Sequence, residues 1–461
     1  MRNVDILVIG AGPAGMSAAI EARRWGLSVL VLDEQDGPGG QFYRGIDSQP
    51  AHHLRLGTTY TTGADLVQRL RACGADYRAG ASVWFVGSEG EVAYSVDGHA
   101  YRVVAQRVIL ATGAMERPCP IPGWTLPGVM TAGAAQILLK TAGVARPHAV
   151  FAGSGPLLYL VASQYARLGI PIQAVLDTTP AHHYLRAAAQ WRSAVQGASY
   201  LAQGLRMMWA LLHAGIRLVH GVTGLHADGD DRLERVQYQR RGRWSTLDAT
   251  GLFLHQGVVP HIQAALAAGC ERVWDDRAAC WRVVTDACGQ TSQDAILLAG
   301  DAAAIIGATS APLHGELAAL AAAHALGCMS DRVFADHRDP LQRALARDAA
   351  VRPFLETLYR PAATFTTPPD PETLVCRCEE VRAREVGVFV RQGGCDGNQF
   401  KSGHRCGMGP CQARQCGLTL AHLMGADGEP PASDRALRVR PPIIPVRLGE
   451  LAELADDEVA V

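Results

Sequence analysis

Two cysteine pairs offer the most distinctive chemistry in this chain: Cys376 and Cys378 with one residue between them, and Cys406 and Cys411 with four. Thiolates this close in sequence can close around a metal, and a set of four suits either zinc or a [2Fe-2S] cluster. Cys395 and Cys416 lie outside both pairs and are second choices as ligands. Gly407 and Gly409 would let backbone amides approach a cluster sulfur, a contact that raises its reduction potential. The other six of the 12 cysteines, Cys73, Cys119, Cys270, Cys280, Cys288 and Cys328, are isolated from one another and read as buried, inert thiols. No Cys-x-x-Cys pair precedes residue 376, so nothing marks a redox disulfide.

Nucleotide chemistry opens the chain. Gly10-Ala11-Gly12-Pro13-Ala14-Gly15 follows an apolar run at 4–9 and leads a helical pattern at 16–25, the context a dinucleotide fingerprint demands. Gly10 permits the tight turn, Gly12 lets backbone approach a pyrophosphate, and Gly15 lets helix and strand pack, while the helix N-terminus offers free N–H groups. Asp33, at the end of the next apolar run, can accept hydrogen bonds from ribose hydroxyls, with Glu34 as the fallback. Gly40 and Gln41, in Gly39-Gly40-Gln41, are expected along the same ligand, and Val83 is a further candidate contact. A second strand-then-glycine arrangement contains Gly153 and Gly155, with Asp177 closing its next strand. Leu158 replaces its third glycine, which would hold the helix off the strand. Two readings of this module stay open: a working nicotinamide site, or a module that is empty or holds a nucleotide (ATP or NAD(P)) structurally.

The elements that must position these residues follow from pattern and length. At 461 residues the chain exceeds one compact core. Hydrophobic residues at 48%, charged residues at 19% and 49 glycines suit a globular α/β protein rather than a disordered one. Apolar runs at 4–9, 29–32, 107–111, 149–152, 172–176 and 295–299 alternate with helical patterns, which predicts doubly wound parallel sheets. Residues 81–105 read as antiparallel strands turning at Ser88-Glu89-Gly90. Residues 360–373, rich in Pro and Thr, read as a linker. The expected division is a discontinuous first dinucleotide-binding domain at 1–147 and 252–335 and a second nucleotide-binding domain at 148–251. A helical segment and linker at 336–371, a cysteine domain at 372–425 and a tail at 426–461 that packs over a surface complete it. The net charge of −1 and pI near 7.0 give no field that would draw nucleic acid. With no signal-peptide or membrane-spanning pattern, a cytoplasmic location with reduced thiols is expected.

Two further segments extend the first nucleotide motif: Val108-Ile109-Leu110-Ala111-Thr112-Gly113, and Ile296-Leu297-Leu298-Ala299-Gly300-Asp301. Together with Gly10 to Gly15 they resemble flavoproteins of the pyridine-nucleotide-disulfide oxidoreductase type. That resemblance implies FAD, with Ala111, Thr112 and Gly113 beside it, Asp301 on its ribityl chain and Gly300 allowing close approach. The Cys-x-Cys and Cys-x4-Cys spacing resembles the bacterioferritin-associated ferredoxin-like domain, implying a small α-helical domain that holds [2Fe-2S] rather than zinc. From Gly10 to the tail, through the Ala111 to Pro118 run, Pro122-Gly123-Trp124, Pro127-Gly128-Val129, Cys376-Arg377-Cys378-Glu379, the run around Cys406 to Gln412 and Arg440-Pro441-Pro442, the chain is similar to the larger FAD subunit of the heteromeric opine oxidase, hydrogen cyanide synthase and hydroxyproline dehydrogenase family. The resemblance implies a hetero-oligomer in which an amino-acid-oxidase-like flavoprotein partner, with a small third subunit, oxidises a C–N bond.

No motif here specifies a substrate-carboxylate-binding arginine, and no catalytic residue is named. His314 reads either as a flavin neighbour or as a helix-start histidine. Three functions remain in competition: an electron-transfer subunit of an opine, D-hydroxyproline, proline or glycine dehydrogenase; a self-sufficient NAD(P)H-dependent reductase; and a non-enzymatic iron–sulfur sensor or scaffold.

Overall fold

The computed structural model describes residues 2–48, 56, 61–425 and 432–459, with side chains of the last helix described to residue 454. Val4, Ile6, Leu7, Val8 and Ile9 are buried in β1 (Arg2–Ile9), as a central parallel strand covered on both faces requires. It is followed by α1 (Pro13–Arg24), β2 (Val29–Leu32), α2 (Gly63–Ala72), β3 (Asp76–Arg78) and the meander β4 (Ser82–Val86), β5 (Glu91–Val96) and β6 (His99–Leu110). Strand order is β3-β2-β1-β6-β5-β4. The long β6 serves two roles: its first half pairs antiparallel with β5 and its second half parallel with β1. The apolar pattern marks only that second half, because the first half is solvent-facing on one side.

The chain leaves this sheet through β7 (Ala114–Glu116) and builds β8 (Val129–Thr131), α3 (Ala132–Ala142), β9 (Ala149–Ser154), α4 (Pro156–Arg167) and β10 (Ile172–Asp177). Helices α5 (Ala181–Ala188), α6 (Trp191–Gln196) and α7 (Ala198–His213) lead to β11 (Leu218–His220) and a three-stranded sheet of β12 (Val222–Asp228), β13 (Arg235–Arg240) and β14 (Arg243–Asp248). The return strand β15 (Gly251–Gln256) lies between β9 and β8, giving the order β11-β10-β9-β15-β8. This pairing corrects the expected boundaries of 148 and 251. Val129–Thr131 and Gly251–Gln256 bond to the second sheet, so the second module starts before residue 129 and runs through 256. Its core includes an edge-to-face trio of Phe151, Tyr165 and Phe253, with ring centroids 5.0 to 5.8 Å apart.

β16 (Val258–Pro260) pairs with β7, so outgoing and returning chains cross side by side. Then come α8 (Gln263–Ala267), the hairpin β17 (Arg272–Asp275) and β18 (Cys280–Val283), β19 (Ile296–Leu298) beside β6, and α9 (Ala311–Ala325). Helix α9 lies directly on α1: a Cβ at Gly315 would meet the Ala14 carbonyl oxygen at 2.0 Å.

Helices α10 (Asp331–Ala349), α11 (Arg352–Leu358) and α12 (Ala363–Thr366) follow. Phe365 is 2% exposed in the core of the second module, so the expected linker at 360–373 is pinned rather than free. Burying a phenylalanine contributes about 1.5–3 kcal/mol, enough to hold a segment poor in backbone donors. The cysteine domain comprises β20 (Leu374–Cys376), β21 (Val381–Arg382), α13 (Ala383–Arg391), α14 (Gly397–His404) and α15 (Gly417–Met424), closed over Val386 and Phe400. The tail packs across the meander, as expected: Ile443 donates to the Trp84 carbonyl at 2.9 Å. In α16 (Leu448–Val459), Glu450 accepts from Ser95 at 2.7 Å.

Candidate functional site

At the C-terminal edge of the first sheet, Gly10 leaves β1 and Gly12 caps α1 without any side-chain cap, so the amides that start the helix are free for an anion. Pro13 and Ala14 form its first turn. Gly15 is indispensable there, since a Cβ would lie 1.8 Å from the Gly10 carbonyl oxygen. Gly40 packs against the same turn, its added Cβ falling 2.7 Å from Gly12 Cα, and Gly39 N–H donates to the Ala11 carbonyl at 2.9 Å. Gln41 follows, exposed, and its carbonyl accepts from Lys140 Nζ at 3.2 Å. Lys140 is 1% exposed on α3 and also donates to Phe42; burial pushes its ammonium down to about 7. It ties the second module to this loop, and no sequence pattern announces it.

Asp33 ends β2 with its carboxylate accepting from Ala11 N–H and, at 2.8 Å, from Gln35 N–H. Burial raises its pKa against those two bonds. Glu34 is exposed beside it. Val83 lies on β4 close to the same strand end, where Ala81 N–H donates to the Asp33 carbonyl at 2.8 Å. Ala111, Thr112 and Gly113 leave β6 next to Gly10, and Thr112 Oγ1 donates to the His261 carbonyl at 2.7 Å. Gly300 touches Ala14, and the Asp301 carboxylate accepts through Oδ1 from Ile306 and Gly307 N–H, both at 2.8 Å, with Oδ2 facing no donor among the described residues. The candidates at 10–15, 33–34, 40–41, 111–113 and 300–301 thus gather at the C-terminal edge of the first sheet, with Val83 on β4 nearby, and bring together a helix start that could take a pyrophosphate and carboxylates that could take sugar hydroxyls. That donor and acceptor set fits FAD. His314 Nδ1 accepts from Gly300 N–H at 2.9 Å, which gives it a structural part at the start of α9.

The second module differs. Gly153 and Gly155 turn into α4 as expected, with positive φ at both, and Leu158 is fully buried where a third glycine would stand. The Asp177 carboxylate, however, is engaged on both oxygens: Tyr159 OH and His220 Nδ1 donate to Oδ2 at 2.8 and 3.0 Å, and Thr179 N–H to Oδ1 at 2.8 Å. Burial pushes Asp177 up, but these bonds outweigh it and its pKa falls; His220, in turn, is raised. His255, bonded through Nδ1 to Glu116 at 2.7 Å, stands against Gly155. Asp177 thus accepts more bonds than Asp33 does, which leaves it less capacity for a ribose hydroxyl.

In the cysteine domain, the thiols of Cys376, Cys406 and Cys416 all lie within 4.8 Å of one another and are buried. Cys378 and Cys411 neighbour each other at the edge of this nest, Cys378 exposed and Cys411 half-buried. The four cysteines of the two pairs therefore converge, but Cys416, a second choice by spacing, is closer to the centre than either Cys378 or Cys411. Its neighbours Cys406 and Cys416 hold Cys376 well below the usual thiol range, helped by the amides of Gly407 and Glu379. Gly409 passes so close that a Cβ would meet Cys378 Cβ at 2.3 Å. A nest of sulfur donors with converging amides fits a thiolate-bound metal. Cys395 is exposed, near Arg435. Of the isolated thiols, Cys119, Cys270, Cys280 and Cys288 are buried, and burial pushes Cys119 up to about 12 and Cys280 up to about 11. Cys73 and Cys328 are only half-buried, which departs from the expectation.

Both sites meet. Gln263 Nε2 donates to the Gln412 carbonyl, one residue after Cys411, at 2.9 Å, while His261 N–H donates to the Gly113 carbonyl at 2.9 Å. Trp124 donates to the Leu374 carbonyl at 2.8 Å and lies under the Arg377 guanidinium. Arg117 is buried with its guanidinium on the carbonyls of Gln256, Ala278 and Ala279.

Residues 4–327 match the family model of the pyridine nucleotide-disulphide oxidoreductases. The chain is 40% identical to the A-subunit of opine oxidase from Rhizobium meliloti over 98% of its own length and 87% of the relative's. It is 32% identical to hydrogen cyanide synthase subunit HcnB of Pseudomonas aeruginosa, covering 99% of this chain and 100% of the relative. Among solved structures, the L-proline dehydrogenase from P. horikoshii superposes with a TM-score of 0.69 at 22% identity, over 97% of this chain and 79% of that one, and so shares the fold.

Proposed function

The chain belongs to the pyridine nucleotide-disulphide oxidoreductase family, among the relatives of the opine oxidase A-subunit and HcnB, and on that premise we propose that it is the FAD- and [2Fe-2S]-containing electron-transfer subunit of a heteromeric dye-linked amino- or imino-acid dehydrogenase. Its donor is a CH–NH or CH–NH2 compound of the opine, D-hydroxyproline, proline or glycine type, oxidised in an amino-acid-oxidase-like partner subunit, with a small third subunit completing the complex. The family membership makes it a flavin-dependent oxidoreductase. The reading beyond that is carried by one observation: the Gln263 to Gln412 bond seats the cysteine nest on the segment that also touches the Gly113 turn.

FAD at the first site would interconvert two-electron and one-electron transfer, and a [2Fe-2S] cluster on cysteines drawn from 376, 378, 406, 411 and 416 would supply a one-electron outlet. The chain's own residues orient and insulate. The start of α1 would hold the pyrophosphate, Asp33 and Asp301 would take sugar hydroxyls, and Thr112, His261 and Gln263 fix the spacing between the two sites. Cys376, Cys406 and Cys416 are buried in one apolar cluster with Leu420 and Met424, which keeps water from that side of the nest.

Two measurements test this. Purified alone, the chain should not turn over amino acids with an artificial dye, whereas with its partner subunits it should; unaided turnover would refute the reading. Cys376→Ser should abolish the visible iron–sulfur spectrum while FAD stays bound, because separate domains hold the two groups, and joint loss of both would count against that division. The self-sufficient reductase finds no support at Asp177, so millimolar NADH should leave the flavin unbleached on the stopped-flow timescale.

A further inference from the structure

We infer that Cys416 is a ligand of the metal centre, taking with Cys376 and Cys406 three of its four thiolate positions, while the Cys378 and Cys411 pair supplies the fourth. The inference rests on the cysteine nest holding a metal, but not on which metal. Spacing points to the four cysteines of the two pairs; it does not point to Cys416, which lies outside both.

Geometry places it there. A single tetrahedral metal with metal–sulfur bonds of about 2.3 Å separates its thiolates by about 3.8 Å, and a [2Fe-2S] cluster does so for the two thiolates on each iron, with the other pair farther off. The sulfurs of Cys376, Cys406 and Cys416 already lie within 4.8 Å of one another, so only a small closure seats a metal between them. All three are at most 1% exposed, which is where a closed metal site keeps its ligands. Cys378 is exposed and Cys411 half-buried, and they neighbour each other at the rim.

The backbone between Cys411 and Cys416 is bent to this end. Gln412 and Ala413 both adopt positive φ, 47° and 67°, a conformation that side-chain-bearing residues rarely take singly and more rarely in succession. That double turn reverses the chain, brings Ala413 against Gly407, and delivers Cys416 as the residue that starts α15. Were Cys416 merely a small buried apolar residue, an ordinary turn would serve. Each thiol that binds gives up its proton to solvent, so five thiols compete for four positions, and the rim pair is the one left with a spare.

The test compares Cys416→Ser, Cys416→Ala and Cys411→Ser in the full-length chain, with Cys395→Ser as the control. Metal and acid-labile sulfide per chain, the visible circular dichroism and the electron paramagnetic resonance of the reduced protein are read, with FAD content and far-ultraviolet circular dichroism reporting the fold. We expect Cys416→Ala to lose at least fivefold of bound metal with FAD retained. Cys416→Ser should lose it or shift the spectrum as an oxygen ligand does, and Cys411→Ser should keep most of it because Cys378 remains. Full metal with an unaltered spectrum in both Cys416 variants, together with loss in Cys411→Ser, overturns the inference. If neither Cys416 variant folds, alkylation mapping of the unmodified chain decides: Cys416 must become reactive when a chelator removes the metal, and equal labelling before and after overturns it. A wild-type chain that holds zinc without sulfide would refute the iron–sulfur reading of function and leave the ligand question to the same variants, scored by zinc.

Discussion

Gly12 and Gly15 show how two glycines in one motif do different jobs. At Gly15 the chain itself forbids a side chain, because the Gly10 carbonyl fills the space. At Gly12 the nearest atom to an added Cβ is Gly40 Cα, 3.7 Å away, an ordinary contact, and its φ of −71° suits alanine. The protein therefore tolerates Gly12→Ala, and what the methyl would obstruct is the pyrophosphate. Gly12→Ala should fold with an unchanged melting temperature of the flavin-free form yet retain about tenfold less FAD, read from the 450 nm to 280 nm absorbance ratio; undiminished flavin would mean the pyrophosphate does not pass over this residue. Asp301→Ala should likewise weaken flavin retention without removing iron, since Asp301 lies at the edge of the first sheet and not on the nest.

Among the elements, α15 and the β17–β18 hairpin form the seam between the cysteine domain and the FAD domain. His422 of α15 meets Trp274 edge-on with centroids 5.3 Å apart, and its Nε2 faces no partner among the described residues. Burial, with Arg117 and Arg360 nearby, pushes it down to about 4. The unfolded chain takes a proton near pH 6.5 that the folded seam refuses until about pH 4, so stability is lost as pH falls through that window. Heating scans between pH 7 and 4.5 should show the iron–sulfur spectrum bleaching at progressively lower temperature, and His422→Leu should flatten that slope. An identical slope in the variant would place the acid sensitivity elsewhere.

Viewed whole, the molecule leaves an apolar face uncovered on α5, α6 and α7. Leu185, Trp191, Val195, Leu205, Trp209 and Leu212 are each 58% to 78% exposed. Exposed aromatic and aliphatic side chains at this density mark an interaction surface. The curated relatives are named as subunits, and under the proposed function this face is where the substrate-oxidising partner would dock. Leu205→Glu with Trp209→Glu should leave FAD and iron content intact but abolish co-elution with that partner in size-exclusion chromatography; a complex of unchanged mass would show that the partner docks elsewhere.

The glycine turns, the clustered cysteines and the alternation of strands and helices are legible in the amino-acid order, because tight turns, buried parallel strands and paired thiolates each demand particular residues at short range. Gly10 to Gly15, Ala111 to Gly113 and Gly300 with Asp301 stand out that way, although far apart along the chain. Long-range choices are not legible. Local pattern does not reveal that Val129–Thr131 joins a sheet completed by Gly251–Gln256, that Lys140 reaches Gln41 and Phe42 from the other module, or that Asp177 is occupied by Tyr159 and His220. Nor does spacing reveal that a strained turn at Gln412 and Ala413 swings Cys416 into the nest. Each of these depends on which distant group fills a space or takes a hydrogen bond, and that is decided only when the whole chain has packed.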